Sequence, residues 1–149
     1  MEQAAEQRTT EEAQAIVARH MGRPGFGSYH GFEVVAAEVG TVTLAVRARP
    51  DLTHLRNYFH GGAVAGLAEQ AAAACAATIL PEDQIGTTTE SRFNYHRAVM
   101  GTRLYATARV VSATPALVVA EVRIEAESLG GRGPCGTALI TMRALPFTG

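Results

Sequence analysis

One carboxylate stands out in the most apolar stretch of the chain. Glu69 lies within Ala63–Leu80, which is half alanine and is followed by Pro81. Alanine is the strongest helix former, and a helix that is apolar nearly all round is typical of a buried position. A buried carboxylate is costly unless it is paired or protonated, so Glu69 is a candidate general base or nucleophile. The alternative is that Glu69 lies on a narrow solvent-exposed stripe with Gln70.

The residues around Glu69 are small. Its neighbours one helical turn away are Ala65, Gly66, Ala72 and Ala73. We therefore expect free space above the carboxylate, in which a substrate could lie.

The triplet His60-Gly61-Gly62 opens this helix. Glycines let a ligand approach the backbone, and the first N–H groups of a helix favour a developing oxyanion. The alternative is that the glycines merely permit a sharp turn. Glu69 follows Gly61 by eight residues, roughly 12 Å along one helix. That distance suggests the hypothesis that the carboxylate works with an oxyanion donor from another subunit.

The composition excludes several classes of chemistry. The 149-residue chain has no lysine, thirteen arginines and a formal net charge of −1. Schiff-base, PLP-lysine and P-loop chemistry need a lysine, and wholesale binding of nucleic acid needs a basic excess. No metal-ligand spacing, GxSxG or GxGxxG motif occurs, so neither a metal nor a cofactor is predicted.

The compartment is predicted by elimination. The N-terminus lacks the basic start and the apolar stretch of a signal peptide. Ala63–Leu80 is too polar for a membrane span, because Glu69 and Gln70 interrupt it. Cys75 and Cys135 are predicted to be reduced thiols, so we expect a cytoplasmic protein with no membrane partner.

The hydropathy pattern predicts one α+β domain over residues 1–149, with 1–22 as an N-terminal helical extension. A loop, a hairpin (Phe32–Val39 and Thr41–Ala48) and the irregular segment Pro50–Phe59 precede the long helix, which reaches about Leu80. Four strands follow, at Ile85–Tyr95, Arg103–Ser112, Ala116–Ala126 and Cys135–Leu145. Their short connectors, Arg97–Thr102, Ala113–Pro115 and Leu129–Gly133, favour antiparallel neighbours.

The run from Asn57 to Glu69 resembles the hotdog-fold acyl-CoA thioesterases of the phenylacetate-pathway, PaaI-like type. That family has a His-Gly-Gly triplet, then a helix, with Asp or Glu nine residues after the His; here these are His60 and Glu69. The predicted order of elements matches from about Phe32 to Leu145. The resemblance implies the hotdog fold, an antiparallel sheet wrapped around a long central helix.

The resemblance also implies an activity, the hydrolysis of acyl-CoA to a free acid and CoA. Glu69 would be the catalytic carboxylate, either a general base for water or a nucleophile that forms a mixed anhydride. The Gly61 N–H would polarise the thioester carbonyl, and His60 would shape the turn. Thr88 matches a hydroxyl placed near the carboxylate, unless it is only a β-former in its strand. Glu in place of Asp favours an aromatic acyl group.

The chain departs from the family pattern at several positions. Many relatives carry Asn or Gln six residues before the triplet histidine, where this chain has His54, with Asn57 three residues before it. Either could hydrogen-bond the thioester carbonyl or the attacking water, although His54 could instead be exposed. Ala73 replaces a Thr, so a water-orienting hydroxyl must come from elsewhere. Phe93 and Tyr95 are expected to be core or dimer contacts, or alternatively to line an acyl pocket.

An acyl-CoA substrate gives the arginines a role, because they are the only strong side-chain cations for its phosphates. The substrate-binding candidates are Gly62, through its bare backbone, and the arginines near the triplet and the later connectors: Arg56, Arg97, Arg103 and Arg132. The family implies a homodimer that joins two sheets, with a site at each subunit boundary, and assembly of dimers into a homotetramer.

Two other functions stay open on the same fold. One is a non-catalytic module that binds acyl-CoA or another small ligand; a buried carboxylate argues against it, since an apolar acyl group gains nothing from the charge. The other is a hydratase or dehydratase, which usually shows a different pairing of Asp and His.

Overall fold

The computed structural model describes residues 8–147, apart from the side chain of Arg56. The predicted extension over 1–22 is thus described from Arg8 onward. The helices are α1 (Thr10–Met21), the single turn α2 (Phe26–Tyr29) and α3 (Gly61–Ala77). The strands are β1 (Glu33–Glu38), β2 (Thr41–Arg47), β3 (Thr53–His54), β4 (Tyr58–Phe59), β5 (Gln84–Tyr95), β6 (Arg103–Ala113), β7 (Leu117–Ser128) and β8 (Gly131–Pro146).

Six strands form one antiparallel sheet in the order β1-β2-β6-β7-β8-β5. The helix α3 packs against β2, β5, β6 and β7, so the sheet wraps around it. This confirms the predicted α+β class and the hotdog architecture. Strand β5 lies at an edge and pairs only with β8, which leaves the other side of its twelve residues unpaired within the described chain.

The expectation that β5 and β6 would be neighbours is wrong. Their connector does not make a tight turn, because it pairs with the segment before α3. The Phe59 N–H donates to the Val99 carbonyl at 2.8 Å, and Tyr58 forms a bridge with Met100. The connector therefore runs past the start of α3 before it reaches β6. In the sheet, β7 and β8 lie between β5 and β6.

Alternation along the strands directs apolar side chains toward α3. In β6, Leu104, Ala106 and Ala108 are fully buried, whereas Arg109 is exposed on the opposite face. Each fully buried Leu or Val side chain contributes roughly 1.5–3 kcal/mol. The small residues of α3 let the sheet approach closely. A Cβ added at Gly86 would lie 3.4 Å from the Cβ of Ala76.

Helix α3 ends three residues before the predicted limit at Leu80. The Thr78 hydroxyl donates to the Cys75 carbonyl at 2.7 Å and accepts from the Gly40 N–H at 2.8 Å. These bonds turn the chain out of the helix before Pro81. Strand β8 begins at Gly131, so the predicted connector Leu129–Gly133 is shorter than expected and Arg132 lies within a strand.

Helix α1 packs against β1 and α3. Its N-terminus is closed by a capping box, in which the Glu12 N–H donates to Thr9 Oγ1 and the Thr9 N–H donates to the Glu12 carboxylate. Ala13 and Val17 are the residues that it buries. The helix therefore leaves its opposite face, which is rich in polar residues, in contact with solvent.

Cys75 and Cys135 are free, as predicted, and both are buried. Burial raises the pKa of the Cys75 thiol to about 12. Over residues 8–147, no helix combines the length and the apolar character needed to cross a membrane. In the same range, no three His, Cys, Asp or Glu side chains are grouped as metal ligands.

Candidate active site

The start of α3 is capped by the histidine of the triplet. His60 Nδ1 accepts a hydrogen bond from the Gly62 N–H at 2.9 Å, so the imidazole takes the place of the usual Ser or Asp cap. The Gly62 N–H is consequently occupied. The Gly61 N–H donates no hydrogen bond within the described part of the chain. Of the two candidate backbone donors, the structure therefore leaves Gly61 free to act.

Tyr95 completes this turn. Its hydroxyl donates to the Gly61 carbonyl at 3.0 Å, which fixes the first peptide of α3 from the edge strand β5. Burial raises the pKa of Tyr95, so its hydroxyl keeps its proton. The sequence indicated Tyr95 only as a core, dimer or pocket residue. Its position on the strand, two residues after the inward-facing Phe93, was the available signal for a contact with α3.

The segment before the triplet forms one wall of a cavity beside Gly61. The His54 ring stacks on Tyr58 and meets His60 edge to face, with 6.1 Å between ring centroids in both pairs. Asn57 has a left-handed backbone, with φ of 64°, a conformation that asparagine tolerates better than most residues. Both His54 and Asn57 are exposed. The cavity measures about 460 Å³, and its lining includes His54, Tyr58, Gly61, Tyr95 and Arg97.

Glu69 lies on a half-exposed stripe of α3. The stripe comprises Ala65, Gly66, Glu69, Gln70, Ala73 and Ala77, while the other faces of the helix are buried. In the single chain the helix is thus less enclosed than the apolar sequence predicted, and the alternative of an exposed stripe with Gln70 describes it better. The carboxylate is nevertheless held in place, because the Thr88 hydroxyl donates to Glu69 Oε2 at 2.7 Å.

The space above Glu69 is only partly free. A Cβ added at Gly66 would lie 2.6 Å from a carbon of the Phe26 ring, so that ring covers Gly66 one turn before the carboxylate. Ala72 is buried in the core. The open approach to Glu69 therefore lies beside Ala65 and Ala73. Phe26, which is 52% exposed, was not singled out from the sequence, where its loop carried no motif.

The three predicted arginines whose side chains are described lie in two separate places. Arg97 lines the cavity beside Gly61 and donates to the Pro134 carbonyl. Arg103 and Arg132 lie on the outer face of the sheet, away from α3, and flank the Tyr105 ring. Each is paired with a carboxylate, Arg103 with Glu33 at 2.6 Å and Arg132 with Glu125 at 2.7 Å. The side chain of Arg56 lies outside the described part of the structure.

Gly61 and Glu69 are two turns apart on one straight helix, roughly 12 Å along its axis. One carbonyl cannot lie within about 3 Å of both groups of the same chain. The arrangement therefore separates a free backbone N–H at the start of α3 from an oriented carboxylate at its middle.

Comparisons with known proteins agree with this architecture. Residues 56–131, half of the chain, match the family model of the thioesterase superfamily. The structure is similar to a thioesterase family protein from Silicibacter pomeroyi, with a TM-score of 0.85 and 23% identity over 90% of this chain and 98% of that one. It is also similar to the E. coli PaaI protein from the phenylacetic acid degradation operon, with a TM-score of 0.81 and 13% identity over 95% and 99%.

A thioesterase from Haemophilus influenzae has a TM-score of 0.72 and 17% identity over 82% of this chain and 83% of that one. None of the curated proteins matches the chain. At these identities the structural likeness shows a common fold, and the match to the family model shows the family. The chain belongs to the thioesterase superfamily and is a hotdog-fold thioester hydrolase.

Proposed function

We propose that the chain hydrolyses acyl-CoA thioesters, with Glu69 as the catalytic carboxylate and the Gly61 N–H as the oxyanion donor. The observation that carries the proposal is the hydrogen bond from Thr88 to Glu69, on a stripe whose other residues apart from Gln70 are alanine or glycine. Among the described residues, Thr88 is the only hydrogen-bond donor to this carboxylate. The second oxygen, Oε1, is therefore available to a water molecule or to the substrate.

The proposed reaction follows from these two groups. As a general base, Glu69 takes a proton from water while the water oxygen attacks the thioester carbonyl carbon. As a nucleophile, it would attack the same carbon and form a mixed anhydride that water then hydrolyses. In both routes the carbonyl oxygen becomes an oxyanion that the Gly61 N–H stabilises, and CoA leaves as the thiol after it takes up a proton.

The site needs two subunits in this proposal. The long edge strand β5 is exposed over most of its length and has unpaired backbone groups on one side. Isologous pairing of two such edges would join the sheets and cover both edges. It would also bring the start of one α3 toward the Glu69 stripe of the other. We extend the proposal to a homodimer that assembles into a homotetramer. The two buried thiols fit the reducing cytoplasm as its location.

The acyl group in this proposal is aromatic or of medium size. Phe26 covers the helix one turn before Glu69, and Tyr29, which is 78% exposed, lies on the same short turn α2. The Phe26 ring would pack against an aromatic acyl group better than against a polar one. Phe26 would be a wall of the acyl site and would not take part in the chemistry.

The test is thiol release from a panel of aromatic and aliphatic acyl-CoAs. Glu69→Gln should lower kcat by at least about 10²-fold while the oligomer persists. Glu38→Gln is the matched control, because Glu38 is an exposed carboxylate at the end of β1. Unchanged turnover in Glu69→Gln would refute the assignment. Binding of acyl-CoA without release of CoA would favour the binding module, and hydration of an enoyl thioester would favour the hydratase.

A further inference from the structure

A second cavity lies at the opposite end of α3 from Gly61. It measures about 310 Å³, within the range of small-molecule sites, and opens between α1 and the first residues of β5. Its walls combine apolar side chains with arginines, and Phe147 supplies an aromatic face. Its lining includes Arg19, His20, Arg23, Glu82, Gln84 and Phe147.

The cavity is cationic in a chain whose net charge is −1. Arg8, Arg19 and Arg23 line it. Among the described lining residues the one carboxylate is Glu82, which lies 3.7 Å from Arg19 with both side chains largely exposed. An exposed ion pair at that distance is weak, so each side chain can exchange its partner for another. Burial, and secondarily the charge of Arg23, lowers the pKa of His20, so the positive charge comes from the arginines.

The arginines are only partly used by the fold. Arg8 donates to the Thr78 carbonyl at 2.7 Å and so closes the end of α3, which is a structural role. The guanidinium of Arg23 lies 4.4 Å from the centre of the Phe147 ring, a contact that orients it. Within residues 8–147, its N–H groups donate no hydrogen bond. In the described part of the chain, the buried side-chain oxygen of Gln84 accepts no hydrogen bond. An N–H donor on a ligand would satisfy it if the amide turned outward.

The cavity connects to the Glu69 site along one face of the helix. Ala77, Ala73 and Glu69 are spaced four residues apart, so they share a face, and all three are half-exposed. The distance from Ala77 to Glu69 is roughly 12 Å along the axis. Strand β5 runs beside this face from Gln84, at the cavity, to Thr88, at the carboxylate. The result is a path floored by alanine, with the cationic cavity at one end and the carboxylate at the other.

We propose that this cavity binds the phosphorylated adenosine end of an acyl-CoA, with Arg19 and Arg23 as the phosphate ligands. The proposal rests on the proposed function, because it uses the same thioester. Guanidinium groups bind phosphate oxygens in bidentate fashion. The apolar walls and the Phe147 ring suit a purine base. The uncharged pantetheine arm lies along the alanine face, and the thioester reaches Glu69.

The test compares two thioesters of one acyl group, carried either by CoA or by N-acetylcysteamine, which lacks the nucleotide. In Arg19→Gln/Arg23→Gln, the ratio of kcat/KM for the CoA thioester to that for the truncated thioester should fall at least about tenfold. The control is Arg109→Gln, because Arg109 lies on the outer face of the sheet in an exposed pair with Glu121. An unchanged ratio, or the same fall in the control, would overturn the proposal.

A binding measurement separates this inference from the proposed activity. Titration calorimetry with adenosine 3′,5′-bisphosphate should show binding to the wild-type oligomer and a loss of at least about tenfold in affinity in the double variant. Equal affinity in both proteins would overturn the site even if the thioesters are hydrolysed. In a third outcome the double variant loses affinity for adenosine 3′,5′-bisphosphate, but the wild type hydrolyses no thioester. This outcome would refute acyl-CoA as the substrate and would support the anion site.

Discussion

Replacing Gly61 by proline removes one N–H group and changes little else. Gly61 is the first residue of α3, where proline is tolerated because its missing N–H would have no partner in the helix. His60 before it is extended, with φ of −64° and ψ of 138°, as a residue before proline prefers. A Cβ at Gly61 would lie 3.6 Å from the Tyr95 hydroxyl oxygen, an ordinary contact. The variant should therefore fold.

The expected effect on catalysis is large compared with the effect on stability. Loss of one oxyanion donor lowers kcat by about 10²–10³-fold, or about 2.7–4 kcal/mol. A proline at a compatible position changes the free energy of unfolding by about 1 kcal/mol or less. Gly61→Ala is the matched control, because it keeps the N–H and adds the same Cβ. Its kcat should stay within about fivefold of the wild type, since a change of 1 kcal/mol is a factor of about five.

The assay is thiol release at saturating acyl-CoA, with urea unfolding measured on the same samples. A folded Gly61→Pro enzyme with wild-type kcat would refute the assignment of this N–H as the oxyanion donor. An equal loss in Gly61→Ala would show that the bare backbone surface matters and the N–H does not.

Three further predictions concern the surroundings of the site. In the wild-type background, Gly66→Ala should not raise the free energy of unfolding, because the new Cβ meets the Phe26 ring. In a Phe26→Ala background the same substitution should raise it by about 1 kcal/mol. Equal effects in the two backgrounds would contradict this. Thr88→Val should lower kcat about tenfold and Thr88→Ser should restore it, because a hydrogen bond to a carboxylate is lost and regained. Burial lowers the pKa of His20 from 6.5, so stability should be lost as the pH falls below about 6.5, and His20→Gln should reduce that loss in urea unfolding.

The sequence was most informative where one element dictates the chemistry. The alanine-rich stretch had to form a helix against the sheet, and the spacing of nine from His60 placed Glu69 two turns inside it. Thr88 was named as a neighbour of the carboxylate through the family resemblance, which places a hydroxyl on the strand after the helix, and the structure places it there. The capping role of His60 is visible only in three dimensions, because histidine is an unusual cap.

Other features depend on which face of the sheet a residue occupies. Arg103 and Arg132 flank chain turns in the sequence, but the register of β6, β7 and β8 directs both to the outer face, against carboxylates. The edge position of β5 was missed because connector length alone does not show that Val99 pairs with Phe59. The cationic cavity was missed because its arginines come from the N-terminal helix and from the residues just before and after it, which carry no motif.

The central claim is that each site combines Gly61 of one subunit with Glu69 of the other. The most direct test is co-expression of Glu69→Gln and Gly61→Pro, each inactive alone. With random pairing, half of the dimers are mixed and one of their two sites is intact, so the mixture should recover about a quarter of the wild-type activity. If both groups acted within one chain, every site would carry a lesion, and a mixture as inactive as the separate variants would contradict the account.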